Sequence, residues 1–185
     1  MSEGPYIDLH WRKTHTDGSW HSWFRDHLSR SGEYGRGTDH LEMSFGSFYS
    51  FSSFIGDQAQ DQLSFTHRGQ RVVLPGKKEG TQFTGRLHPA SDWINYRIVV
   101  TEDQRDRMLD RAIKLAQGNH GYDWNGVARF SHLIRFLSLG FWKEHPDKYF
   151  CSEAVVDAMQ AGDLMLGIEP WKQGPNHVKQ FWRVP

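Results

Sequence analysis

Polar and apolar residues alternate from residue 40: His40, Glu42 and Ser44 are polar, and Leu41, Met43 and Phe45 apolar. That period of two predicts a strand with one buried face. Gly46-Ser47 then predicts a two-residue type II′ turn, with glycine where φ must be positive, and residues 48 to 53 the return strand. On this register Phe45 lies opposite Phe48 and His40 opposite Ser53, on one face with Glu42, Ser44, Tyr49 and Phe51. THRGQRVVLPG predicts one short strand ended by Pro75 and Gly76, and KKEG a polar turn. WINYRIVV, residues 93 to 100, predicts a strand with Ile94, Tyr96, Ile98 and Val100 on one face.

The period then changes. Thr101 followed by Gln104 has the form of a capping box, and Glu102 and Asp103 occupy the first turn, where the helix dipole favours negative charge. Met108, Leu109, Ala112, Ile113 and Ala116 form the apolar stripe of the predicted helix, and Gly118 its stop. A second helix is expected over residues 126 to 139. A third begins at Cys151, whose apolar positions 151, 154, 155, 158 and 159 share one face before Gly162. The first 38 residues are aromatic and polar with poor periodicity; WRKTHTDGSWHSWFRDHL admits a short helix near its end. That segment either covers a cleft as a lid or extends the core.

Composition narrows the reading. With 185 residues, 37% hydrophobic and 14% aromatic, the chain suits one compact α+β domain, a 39–185 core preceded by residues 1–38. Lys plus Arg and Asp plus Glu number 22 each, so no whole-molecule field draws the protein to nucleic acid or an anionic membrane. HRGQR and Lys77-Lys78 are short basic clusters, read as solvated loops, and no nucleic-acid partner is expected. The first residues lack the apolar run of a signal peptide and no segment approaches a membrane span, so a cytoplasmic protein is expected. The single cysteine forms neither an internal disulfide nor a cysteine-rich zinc site, which suits a reducing compartment. His10, His15, His21 and His27 are spaced by five, six and six, which matches no metal-ligand box, and no cofactor is expected.

Cys151 occupies the first turn of its predicted helix. Amide N–H groups there lack intrahelical acceptors, so they favour a thiolate and can also hold an oxyanion. A buried packing cysteine is the competing reading. A nucleophile needs a base. His15, His21 and His27 lie in the poorly patterned segment, and His88 and His145 each precede a proline in expected loops. His40 starts a patterned strand, with Ser53 across from it and Glu42 two residues along as hydrogen-bond partners; the alternative is the solvated polar edge of a sheet.

DHLEM at 39 to 43, the serine-rich FYSFSS at 48 to 53, a strand and helix, GYDWNG at 121 to 126 and YFCSEAVV at 149 to 156 follow in order. Together they resemble the circularly permuted branch of the NlpC-type papain-like hydrolases, which includes YiiX-like and phage-encoded members. The resemblance covers residues 38 to 162 and implies a central antiparallel sheet packed against a cysteine-bearing helix. It implies Cys151 as nucleophile and His40 as general base. The orienting role falls to Ser53, with Glu42 as runner-up and a backbone carbonyl as a further alternative. Tyr122 matches a tyrosine near the active-site cysteine, or is a core aromatic; Asp123 is alternatively the N-cap of the next helix. Implied substrates are peptides, peptidoglycan fragments or acylated molecules, and a phage-borne origin would place the protein in a host cytoplasm or a virion. A papain-like module without catalysis, serving binding or structure, is the rival expectation.

Overall fold

The computed structural model describes residues 4–13, 38–46, 49–54, 62–85, 88–123, 145 and 147–184. Its strands are β1 (Tyr6–Lys13), β2 (Thr38–Ser44), β3 (Ser50–Phe54), β4 (Leu63–His67), β5 (Gln70–Leu74), β6 (Gly80–Thr84), β7 (Trp93–Val99), β8 (Gly121–Tyr122) and β9 (Lys148–Tyr149). Helices are α1 (Glu102–Gln117), α2 (Cys151–Ala161) and α3 (Pro175–Phe181), with a 3-10 turn at Pro170–Lys172. Five strands form an antiparallel sheet in the order β6-β3-β2-β1-β7. β4 and β5 form a hairpin, and β8 pairs in parallel with β9. The fold is thus mixed α+β. The helix expected over 126–139 and the one expected near the end of WRKTHTDGSWHSWFRDHL lie outside the described residues, apart from the start of the latter, Trp11–Lys13, which is strand.

α1 forms where its caps and stripe place it. Thr101 Oγ1 accepts from the Gln104 amide at 3.1 Å while Gln104 Oε1 accepts from the Thr101 amide at 3.0 Å. Met108, Ala112, Leu115 and Ala116 are buried. They meet Ala154, Val155, Ala158 and Met159 of α2 in one core with Ile7, Leu9, Trp11, Leu41, Met43 and Phe51 of the sheet. Charged pairs on the rim, Arg111–Asp157 at 2.8 Å and Arg107–Asp163 at 2.7 Å, link α1 to α2 and the turn after it.

One open alternative is settled for the residues described, and two expectations change. First, Tyr6–Lys13 is an interior strand, between β2 and β7, so this part of the first 38 residues extends the core. Ile7, Leu9 and Trp11 alternate along it and pair with Ile98, Tyr96 and Ile94. Second, THRGQRVVLPG is not one strand: it contributes to a hairpin that turns at Arg68 and Gly69, φ 48° and 73°. Two successive positive φ values define a tight turn that an arginine seldom enters, which hid it in the sequence. Two of the residues there reach α1, His67 Nε2 2.8 Å from Asp110 Oδ1 and Arg68 Nε 3.4 Å from Asp106 Oδ2.

Third, β3 is shifted by one residue against the expected register: Met43, expected opposite Ser50, lies opposite Phe51, and Ser44 opposite Ser50. A one-residue slip exchanges the faces of a strand. Phe51 therefore joins Met43 in the core, fully buried, and Ser53 turns to that same face, away from His40. Phe51 packs there against Phe83 of β6, with ring centroids 5.2 Å apart. Ser47 of the expected turn lies outside the described residues.

The other face of the sheet carries His10, His40, Glu42, Ser44, Ser50, Ser52, Gln82 and Thr84, and none is more than 7% exposed. This polar layer is buried, so His40 does not lie on a solvated edge. Burying polar groups is costly unless they are hydrogen-bonded, and the bonds that most of these residues make shape the site.

Gly80 fixes where β6 meets the segment before β8. Its φ is +90°, and a Cβ there would collide with the His120 carbonyl oxygen. Gly80→Ala is expected to destabilise the protein by about 2–4 kcal/mol through backbone strain and overpacking, read as a lower urea midpoint.

Candidate active site

Cys151 is the first residue of α2 and is 3% exposed. The strand leading into it is clamped at one atom: the Tyr149 carbonyl oxygen accepts from Ser53 Oγ at 2.7 Å and from the Asp123 amide at 3.1 Å. Glu153 Oε2 accepts from the Phe150 amide at 3.2 Å, and Ser152 Oγ donates to the Gln173 carbonyl at 2.6 Å. The helix start is therefore held on both sides.

His40 comes to Cys151 from β2. The imidazole is buried, packed against Phe54 with ring centroids 5.1 Å apart and edge-on to Trp93 at 6.3 Å. Burial by itself lowers its pKa; the neighbouring Cys151 sulfur, and then the Glu42 carboxylate, outweigh burial and raise it to about 9. Nε2 stands 3.3 Å from Glu42 Oε1, close enough for strong attraction although poorly aligned for a hydrogen bond. The imidazole thus lies between a thiol and a carboxylate.

Glu42 is fully buried. Its second oxygen, Oε2, accepts from Ser50 Oγ and faces His88 Nε2 at 2.9 Å. His88 stacks on His10, with centroids 3.9 Å apart and planes 7° from parallel. The two nitrogens of His10 are engaged by Asn95 Oδ1 and Ser44 Oγ, each at 2.9 Å. Burial, and next the neighbouring His88, lower the pKa of His10, so the ring is held neutral.

Of the five residues singled out in the sequence, three meet: Cys151, His40 and Glu42. Ser53 supports the carbonyl two residues before Cys151 and does not face the imidazole. Tyr122 is 7% exposed and pairs with Tyr149 in the β8–β9 ladder, beside the segment that delivers the cysteine. Asp123 is 4% exposed, and its Oδ1 has no partner among the described residues; the helix it was expected to cap lies outside them. His88, His10 and Ser50 were missed. For His10 a pattern was present, since Asp8, His10 and Arg12 alternate with Ile7, Leu9 and Trp11. For His88 there was none, because its contact with Glu42 spans 46 positions.

Among the described residues no three of His, Cys, Asp and Glu are grouped to hold a metal ion, and no helix is long and apolar enough to cross a membrane. Comparison with protein-family models, curated proteins and solved structures returned no match.

Proposed function

We propose that the protein is a thiol-dependent acyl-transfer hydrolase of the permuted NlpC-type papain-like kind. The observation that carries the reading is the convergence of Cys151, His40 and Glu42 at the start of a helix. Cys151 supplies the nucleophile, His40 the proton carrier and Glu42 the carboxylate that supports the imidazolium. The thiolate attacks the substrate carbonyl, and the first-turn amides of α2 face the developing oxyanion. When the tetrahedral adduct collapses, His40 gives its proton to the leaving group and an acyl thioester remains on Cys151. His40 then takes a proton from water, the hydroxide attacks the thioester, and the acid leaves with the thiol restored. Peptide amides, including those of peptidoglycan fragments, and acyl esters or amides are the substrate classes this chemistry serves.

The test is an acyl-enzyme trap. Incubation with p-nitrophenyl acetate is expected to release a burst of nitrophenolate stoichiometric with protein and to place an acetyl group on Cys151, located by peptide mass spectrometry. Cys151→Ala should show neither. A native protein whose Cys151 stays unmodified would refute catalysis and leave the rival reading, a papain-like binding or structural module.

A further inference from the structure

Glu42 can support His40 only if its carboxylate is held in one orientation. Two groups from other segments hold it: Ser50 from β3, and His88 from the segment between β6 and β7. We propose that His88 is a positioning residue for the Cys151–His40 pair: it holds Glu42 Oε2 from the far side so that Oε1 faces the imidazole, and the stacked His10 holds His88. The proposal rests on the hydrolase reading and extends it to a residue two contacts from the thiol.

Four observations carry it. The His88 Nε2 to Glu42 Oε2 distance is 2.9 Å, and the His88 side chain is 9% exposed, so its ring was withdrawn from water to make this contact. An ionised Glu42 accepts and does not donate, so on this reading the proton between them belongs to His88 Nε2. The ring is confined on two sides, by the parallel face of His10 at 3.9 Å and by Trp93 edge-on at 4.5 Å. Its main chain is fixed as well, since Asn95 Nδ2 donates to the His88 carbonyl at 3.0 Å. Asn95 Oδ1 also accepts from His10 Nδ1, which therefore carries the ring proton, and His10 Nε2 is left to accept from Ser44; burial, which lowers the His10 pKa, favours this neutral ring. One asparagine therefore engages the His10 ring and the His88 main chain. The charged or titratable groups around the chain of contacts include Cys151, Glu42 and the cross-strand Arg12 at His40, His10 and Glu42 at His88, and Asp8 with its partner Arg97 beyond His10.

The experiment compares native protein, His88→Phe and His88→Gln. Phenylalanine keeps the ring stack on His10 and loses the donor; glutamine places an amide N–H near Nε2. The readout is the titration of the His40 Cε1 proton by NMR, assigned by its absence in His40→Ala, with the rate of Cys151 alkylation at pH 6.5 alongside. The expected result is a His40 midpoint displaced downward and alkylation slowed about tenfold in His88→Phe, with both restored to within about threefold by His88→Gln. A His40 midpoint unchanged in His88→Phe overturns the proposal, whatever the protein does to substrates. Should the phenylalanine variant not fold, the native protein decides: a long-range 1H–15N spectrum must show His88 Nε2 protonated at pH 7, and an unprotonated Nε2 overturns it. The NMR readout needs no turnover, so failure of the acyl trap and failure of this inference are separate results.

Discussion

His40→Ala is expected to slow alkylation of Cys151 by iodoacetamide at pH 6.5 by at least tenfold, while the far-ultraviolet circular dichroism is retained. Iodoacetamide reacts with the thiolate, and an unassisted thiol with a pKa near 8.5 is only about 1% ionised at pH 6.5. In the native site the largest influences that raise the His40 pKa against burial are the charge and hydrogen bond of Cys151. Alanine removes the base that contacts the sulfur, and a positioned base contributes about 10²–10⁴-fold to a reaction it assists. Equal rates in the two proteins at pH 6.5 would show that Cys151 and His40 do not act together, and the hydrolase reading would fall with that result.

Glu42→Gln should narrow the pH range over which His40 stays protonated. His40 has its pKa raised to about 9, above the unfolded value near 6.5. The sign follows from linkage: the protonated imidazole contributes stability that is fully present below pH 6.5 and is lost as pH rises through about 9. Removing the Glu42 charge removes the weaker of the two supports, because the Cys151 contributions are the larger. The His40 midpoint is expected to fall by about 1 pH unit, worth about 1.4 kcal/mol of coupling. Glutamine is the informative replacement because its side-chain oxygen still accepts from Ser50 and His88, so the buried donors keep a partner. On the proposed mechanism hydrolysis should lose its alkaline limb at a correspondingly lower pH, since the imidazolium would be the acid that protonates the leaving group. A midpoint equal to that of the native protein would show that the 3.3 Å contact between Glu42 and His40 carries no energy.

The elements most legible in the sequence were those whose energetics are local. Thr101 and Gln104 cap α1 with bonds spanning three residues, and the apolar stripe of α2 recurs within its own eleven. The alternation of β2 and β7 is likewise visible one strand at a time. β1 carried the same alternation, obscured by aromatic and charged residues, and the Arg68-Gly69 turn was hidden because nothing in an arginine announces a positive φ. The site divides the same way. Cys151 at a helix start and His40 on a patterned strand could be proposed from their own neighbourhoods. Glu42 could be placed on the face of His40, but choosing between it and Ser53 needed the register of β3.

The sequence by itself therefore determined a mixed α+β chain, the strand bearing His40, the helix opened by Cys151 and the chemistry that a thiol and an imidazole make available. The tertiary structure decided which residues meet. It set Phe51 against Met43, which sent Ser53 to the Tyr149 carbonyl, and it buried the polar face of the sheet, so that Glu42 had to find its partners among His40, Ser50 and His88. Register and burial are settled by contacts between segments far apart in the chain, where the gain from packing one aromatic ring or the cost of one unpaired carboxylate outweighs any local preference.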